Sequence, residues 1–561
     1  MSSQGSETTM VLTRGNACSM CRKRRRRCDA GKPACTPCVK AKTAAQCKYA
    51  GSDLGARKKS TALLQDLEES VDALESRIRL HSTSESHERE SKESYPPAQT
   101  AIHAALPVYI PSRVAPRVIH RKERRSFTDE RPIPGFLDTS TRRTAADSRT
   151  AAFLEFRWHF GIQWNMPRLL ASLQLPATHP RAPHPSLLNA VLLHGAFFCR
   201  TGLKRYESLF YRRTSRELAI SLEKGDRLFD FIRGSALISC YLYGMARLSE
   251  AHTRISGTLR FAVACGLHNI SSPSLDTRFH MIPPCVDAIE LGDRISTFWI
   301  LFVCDRAGSL ILGYPNTLAD DEITTILPYR LSAYESGDYL HQLVDTIASM
   351  YDPHATLASA RINHYGAVAA KSTALLNRAY ALAVRVKGAS VVSNALQQEI
   401  FRTAMASIKL ADFLPPFYAQ ELEYESSIAT RSVLAPVYIA THAAVIQILD
   451  ILPDKNPSHR TRQAQAARDA MAIVKELQDA PFGYIPLLLG WSLTPVHAFL
   501  VREEMRYRKS GDKKNAIAVQ DEIKMLTGTL SRVKELFPEP GVTQIDILEK
   551  NTSALRLIEL V

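Results

Sequence analysis

The chain has 561 residues, with 71 Lys/Arg against 56 Asp/Glu, 11 cysteines and a formal net charge of +15. The charge is concentrated: residues 1–60 hold 14 Lys/Arg against 3 Asp/Glu, a net of +11, and the remaining 501 residues share only +4. That excludes a polyanion-binding surface spread along the molecule and confines one to the N-terminal end.

Residues 1–14 are polar and carry no apolar stretch of the kind that directs secretion, so they are expected to be disordered. Residues 15–50 contain Cys18, Cys21, Cys28, Cys35, Cys38 and Cys47, spaced C-x2-C-x6-C-x6-C-x2-C-x8-C. Thiolates at this spacing collect soft divalent metal, and zinc is the usual occupant. Six thiolates exceed the four positions of one tetrahedral zinc, but they serve two zinc ions if two sulfurs bridge. The stretch has almost nothing large and apolar to bury. Metal must therefore supply the folding free energy, about 10 kcal/mol or more per structural zinc. A disulfide framework would need an oxidising compartment that nothing in the sequence points to.

Between the second and third cysteines lies the run Arg22, Lys23, Arg24, Arg25, Arg26, Arg27. Each C-x2-C is expected to open a short helix, which makes the two halves a loose internal repeat. Pro37 then falls in the first turn of the second helix, where a missing N–H is tolerated. Pro33 fixes the loop that reverses the chain between the halves. Six thiolates with two Zn2+ leave a net of −2, so the region stays strongly cationic.

These residues resemble the zinc binuclear cluster, Zn2Cys6, of fungal transcription factors. Cys21-Arg22-Lys23-Arg24-Arg25-Arg26-Arg27-Cys28-Asp29 and Lys32-Pro33-Ala34-Cys35 match its pattern position by position. The resemblance implies that Cys18 and Cys35 bridge the two zinc ions and that the end of the first helix enters the major groove of double-stranded DNA. It implies base contacts from Arg24 and Arg25, bidentate to guanine. Arg22, Lys23, Arg26, Arg27, Lys40 and Lys42 are then phosphate contacts or groove-lining charges. It further implies CGG-type half-sites and a nuclear location. One departure bears on base preference: arginine stands where the family commonly has lysine before the third cysteine, and a forked guanidinium reads bases differently from an ammonium.

Residues 51–62 read as a linker leading to a short coiled coil at 63–80. Leu64, Val71 and Ile78 fall at a positions and Leu67 and Leu74 at d positions, a pattern that favours a parallel pair of helices and hence a homodimer. Residues 81–149 are polar and proline-rich and read as disordered linker. Their basic cluster Arg121, Lys122, Arg124, Arg125 is taken as solvated charge.

From 150 to 545 the composition becomes that of a large all-α domain, followed by a C-terminal segment at 546–561. Three stretches resemble the middle homology regulatory region of the same fungal family. They are His184–Val191, Gly257–His268, and Arg294–Arg306 with its continuation through Leu312, Pro315 and Asp320 to Ile323. Gly266 suits a left-handed position after a helix, with Leu267 closing over the last turn. Phe298, Trp299, Leu301 and Phe302 predict a deeply buried helix. The apolar run from Ile300 is expected to stop at Asp305 and Arg306, short of a membrane span. Those two charges are expected to find an internal ion pair or a helix-end contact. His194 and His268 read as core histidines, and Cys199, Cys240, Cys265, Cys285 and Cys304 as scattered reduced thiols.

No phosphate-binding loop, nucleophile elbow, zinc-protease motif or dinucleotide fingerprint occurs, which argues against an enzyme. The fold class expected is mostly α: a small zinc module, a short coil, a disordered linker and a large helical regulatory domain. The expected function is a sequence-specific, DNA-binding regulator of RNA polymerase II genes, probing its targets as a homodimer and contacting the transcription machinery or co-regulators. A small-molecule effector is compatible with the sequence but unsupported by it.

Overall fold

The computed structural model describes residues 17–48 except 30 and 32, and residues 150–558 except 177, 200–201, 342–343, 353–363, 390, 416, 418–426, 453–456, 482–484 and 488. The linkers read at 51–62 and 81–149, and the coil residues Leu64, Leu67, Val71, Leu74 and Ile78, lie outside the described residues. The chain divides into two compact units between Tyr95 and Pro96. Among the described residues there is no β-strand.

The first unit contains helices α1 (Ser19–Lys23) and α2 (Thr36–Lys40), then a 3-10 turn at Ala44–Gln46. Its two helices repeat one design 17 residues apart. Cys18 and Cys35 are the N-caps, both in extended backbone (φ −64°, ψ 158° and φ −68°, ψ 149°). Each helix closes with the double hydrogen bond that ends a helix through a left-handed residue. Arg25 N donates to Arg22 O (3.2 Å) and Arg26 N to Cys21 O (3.0 Å); Lys42 N donates to Val39 O (3.0 Å) and Thr43 N to Cys38 O (2.9 Å). The left-handed residues are Arg25 (φ 51°) and Lys42 (φ 53°), positions where glycine is the usual occupant. Ser19 N donates to Lys48 O (2.8 Å), tying the first turn of α1 to the end of the unit.

The second unit is a helical assembly. In chain order it has α3 (Met166–Leu173), α4 (Pro185–Phe198), α5 (Glu207–Lys224), α6 (Leu228–Gly244), α7 (Leu248–Ala264), α8 (Ala288–Leu312), α9 (Leu331–Ser336), α10 (Tyr365–Gly388), α11 (Asn394–Phe413), α12 (Ser427–Leu449), α13 (Pro457–Gln478), α14 (Gly490–Lys509), α15 (Lys513–Leu536) and α16 (Pro538–Ile558). Two apolar cores organise it. One gathers Leu193, Ile232, Ile255, Leu259, Phe298 and Trp299 from α4, α6, α7 and α8. The other gathers Leu375, Ile439, Val474 and Leu493 from α10, α12, α13 and α14. Helix α10 lies between them: Ala367, Ala370 and Ala374 face the first core, while Val368, Leu375 and Leu376 face the second. Helix α16 passes through residues 545 and 546 without a break, and its Leu548, Asn551 and Leu555 are buried.

Several local expectations meet their physical counterparts. His184 caps α4, its Nδ1 accepting from Ser186 N (3.1 Å). Gly266 stands at φ 87° after α7; its N–H reaches Val263 O, and Leu267 N reaches Ala262 O, both at 2.9 Å. Phe298, Trp299, Leu301 and Phe302 are all buried.

Asp305 and Arg306 interrupt the apolar run, but they do not stand at the end of the helix as expected: α8 runs on to Leu312 and ends at Gly313 (φ 67°). Both charges are almost fully buried and each has its own partners. The Asp305 carboxylate accepts from Ser256 Oγ (3.1 Å), Thr317 N (3.1 Å) and the Thr317 hydroxyl. Arg306 Nη2 donates to Leu318 O (2.6 Å) and Asp320 Oδ1 (2.8 Å). The 317–320 segment thus lets the helix carry two charges through the core. By length and composition, α8 and the 431–449 part of α12 are apolar enough to cross a membrane, but 67% and 89% of their apolar windows are buried inside this protein. They are its core helices.

His194 is fully buried, and its Nε2 donates to Leu237 O (2.7 Å). Burial pushes its pKa down to about 4. A folded value below the unfolded one means that this stability is present above the unfolded pKa and is lost as pH falls toward 4. His194 alone accounts for about 2 kcal/mol between pH 7.5 and 5. Urea unfolding of the full chain at the two pH values is expected to show the wild type losing about 2 kcal/mol more than His194→Gln; equal losses would count against a neutral buried imidazole.

Candidate metal centre and nucleic-acid interface

The backbone of α1 and α2 brings six sulfurs to one place. All six cysteines are buried although the described residues of this unit form no other apolar core, only Ala17, Met20 and Ala34 packing against the cluster. The Sγ atoms form two sets of four, Cys18, Cys21, Cys28, Cys35 and Cys18, Cys35, Cys38, Cys47, each with all ligand atoms within 4.8 Å. Cys18 and Cys35 belong to both. Sulfur separations are 3.6 Å for Cys18–Cys35, 3.7 Å for Cys18–Cys38, 3.5 Å for Cys21–Cys35, 3.9 Å for Cys21–Cys38 and 3.7 Å for Cys35–Cys47.

These distances test the fit of zinc. A tetrahedron of sulfurs about 2.3 Å from a central zinc has edges of about 3.8 Å. Four of the observed separations are edges within a set and match that length, the two sets share the edge Cys18–Cys35, and Cys21–Cys38 runs between the sets. The surroundings suit thiolates as well: Cys21 N donates to Cys18 Sγ (3.3 Å), Cys18 N to Cys28 Sγ (3.5 Å) and Cys35 N to Cys47 Sγ (3.3 Å). Such backbone donors orient metal-bound sulfur and spread its charge. Thiols left to themselves here resist ionisation, chiefly through burial, which pushes Cys21 up to about 12 and raises Cys18 and Cys35 too. Two divalent cations are the natural counter-charge.

Asp29 joins the two halves, a role the sequence reading missed. Its carboxylate accepts from Thr36 N with both oxygens (3.1 Å each) and from Gly31 N (3.4 Å). It thereby occupies the first N–H of α2, whose N-cap Cys35 makes no side-chain capping bond. The bonds from Thr36 hold the Asp29 carboxyl below its ordinary value. The available signal was an acid standing directly after the third cysteine in an otherwise basic stretch.

Around this centre, Arg22, Lys23, Arg24, Arg25, Arg26, Arg27, Lys40 and Lys42 are all exposed. Arg22 and Lys23 lie in the last turn of α1, Arg24 is its C-cap, and Arg25 is the left-handed residue that turns the chain. Arg22 Nη2 is tied back to Ala17 O (3.1 Å). Arg24 Nη1 reaches across to Thr43 Oγ1 (3.4 Å), whose hydroxyl also donates to Cys38 O (3.4 Å). Thr43 is a second residue the sequence reading missed.

A sulfur-bound dinuclear centre under a dense cationic helix end defines a metal-dependent nucleic-acid-binding module. Residues 16–54 match the fungal Zn(2)-Cys(6) binuclear cluster domain, and residues 166–343 match the fungal specific transcription factor domain. The chain carries the two domains of fungal Zn2Cys6 transcription factors: its cluster domain binds two zinc ions and DNA, and the domains found are regulatory rather than enzymatic. No curated protein and no solved structure matches the chain.

The shared edge predicts an asymmetry among the cysteines. Cys35→Ser removes a ligand from both sets, and Cys47→Ser from one. Zinc content of the full chain by mass spectrometry is expected to fall from two per chain to none for Cys35→Ser and to about one for Cys47→Ser before heating. Equal losses would contradict a shared sulfur.

Proposed function

We propose that this protein is a nuclear regulator of RNA polymerase II genes that reads CGG-like half-sites as a homodimer. The observation that carries the reading is the exposed end of α1, where Arg24 and Arg25 stand on a turn fixed by cluster cysteines. Arg26 N bonds to Cys21 O and Arg24 is steadied by Thr43, so the base-contacting side chains spring from backbone that the metal centre makes rigid. In the proposed complex Arg24 and Arg25 donate to guanine O6 and N7. Arg22, Lys23, Arg26, Arg27, Lys40 and Lys42 neutralise phosphates and set the register without reading sequence. The Cys18, Cys21, Cys28, Cys35, Cys38 and Cys47 sulfurs hold the two zinc ions.

Pairing rests on the heptad at Leu64, Leu67, Val71, Leu74 and Ile78, with residues 51–62 setting how far apart two half-sites lie. The helical domain contacts co-regulators or the transcription machinery and restrains or exposes that contact.

The test is selection of preferred DNA from a random pool by the zinc-loaded full chain. Paired CGG-like triplets are expected. A single triplet would remove the homodimer and leave the DNA function; no enrichment from zinc-containing protein would overturn the reading in favour of a protein-binding role. Arg24→Ala is expected to relax the sequence preference by about 1–3 kcal/mol per base pair. Lys40→Ala is expected to weaken all sequences alike and to reduce the salt slope by about 0.9.

Arg25→Gly separates backbone from side chain. Glycine relieves a left-handed conformation that opposes an L-residue by about 1 kcal/mol. The variant is therefore expected to keep both zinc ions and gain slight thermal stability while losing sequence discrimination in a fluorescence-anisotropy titration. Retained discrimination would place Arg25 among the structural residues.

A further inference from the structure

The helical unit has a groove of about 730 Å3, within the size range of small-molecule sites. It opens where the first turns of α6 and α8 meet the loop after α3. Much of its wall is apolar, with Leu169, Leu175, Phe229, Pro283 and Ile289 lining it and Val286 at its edge 70% exposed. Five arginines also line it: Arg168, Arg181, Arg227, Arg233 and Arg294.

Four of the five are paired with carboxylates of the protein, Arg168 with Asp287, Arg227 with Asp226, Arg233 with Asp230 and Arg294 with Glu290. Arg181 is exposed and makes no ion pair among the described residues. Arg294 is the unusual member. Its side chain is 1% exposed, yet only Nη2 is engaged, with Glu290; Nε and Nη1 have no hydrogen-bond partner. Its guanidinium carbon lies over the rings of Phe279 (4.4 Å to the ring centre) and Phe229 (5.5 Å), and Nε and Nη1 remain its unspent donors. Arg233 Nε is likewise without a partner, and the Phe229 ring contacts both guanidinium groups, 4.7 Å from that of Arg233. Buried donors are normally satisfied, and an arginine fork left half-used in a cavity wall is a ready carboxylate receptor.

Two more features favour negative charge. Helices α6 and α8 both begin at the groove, so their positive ends face it. The N-cap of α6 is Arg227 itself, with no side-chain capping bond and φ 46°. One feature limits that charge. Asp293, buried beside Arg294 on α8, also lines the groove and accepts from Asn165 N (2.8 Å). A dianion would meet this carboxylate, whereas a single charge directed at Arg294 avoids most of the repulsion.

We propose that the groove binds an amphiphilic organic monocarboxylate. Its carboxylate displaces Glu290 from Arg294 and so reaches the buried, unspent N–H groups of that fork, with Arg181 closing over it; its apolar body lies along Leu169, Leu175 and Ile289. Glu290 is then the protein's own stand-in for the ligand head group. The inference does not depend on how the zinc cluster reads DNA.

The experiment is isothermal titration of the zinc-loaded full chain with sodium octanoate below its micellar range. Octylammonium, octanol and inorganic phosphate are titrated at matched ionic strength. Saturable 1:1 binding of octanoate is expected, at least about 10-fold tighter than that of octanol or octylammonium, with no binding of phosphate. Glu290→Gln, which removes the competing carboxylate and keeps a hydrogen-bonding side chain, is expected to tighten octanoate binding about 3- to 10-fold. Arg294→Lys keeps the charge but loses the fork and is expected to weaken it about 10-fold. If Arg294→Lys does not fold, the exposed Arg181→Ala replaces it, with about 3-fold weakening expected.

Octanol binding as tightly as octanoate would reduce the groove to a greasy surface and overturn the proposal. Phosphate binding as tightly as octanoate would overturn the apolar half of it. A Glu290→Gln variant with unchanged affinity would remove Arg294 as the receptor.

Discussion

Six sulfurs gathered in two overlapping sets of four form an arrangement that a protein cannot hold by hydrophobic packing alone, and residues 17–48 are built around that constraint. The short helices, each five residues long, are too brief to persist on their own. They exist because Cys18 and Cys35 begin them and Cys21 and Cys38 turn inward one step later. The helix ends, the crossing bond from Asp29 to Thr36 and the strap from Ser19 to Lys48 all hang from the same centre. The exposed arginines inherit their positions from it.

The helical unit solves the opposite problem, since it has ample apolar surface and must manage charge inside. Helix α8 carries Asp293, Arg294, Asp305 and Arg306 through buried surroundings. A buried charge with a missing partner is strongly destabilising. Asp305 and one nitrogen of Arg306 find partners in the segment that returns after the helix, and Lys371 pairs with Asp345 at 2.6 Å. These pairs tie irregular segments to the helical layers, so they position chain that has little apolar surface of its own. Arg294 and Arg306 each engage only Nη2, and what distinguishes Arg294 is that it stands in the wall of a groove.

Legibility in the sequence followed the range of the interactions. The cysteine spacing, the position of Pro37 and the glycine after α7 are local signals, and each was read from a few neighbouring residues. The continuation of α8 was not legible. Its permission comes from Ser256, Thr317 and Asp320, up to 49 residues away from the charges they satisfy. The left-handed conformations of Arg25 and Lys42 were hidden for a different reason. Glycine is the usual sign of such a position, and here basic side chains occupy both. The groove is assembled from three separated stretches near residues 168–183, 227–233 and 283–294, so no single window of sequence displays it.

The pairing of strained basic turns with a metal-held core has a bearing on how such a module changes over time. Where stability comes chiefly from ligands that point inward, the outward-facing basic positions carry a smaller share of holding the fold. Arg25 and Lys42 can keep unfavourable backbone angles, and six consecutive cations can repel one another, without threatening the structure beneath. On the proposed reading of the rim, recognition is thereby free to drift: a substitution there alters which sequence is read while the framework stays as it was. A scaffold of this kind suits lineages in which one architecture diversifies into many readers.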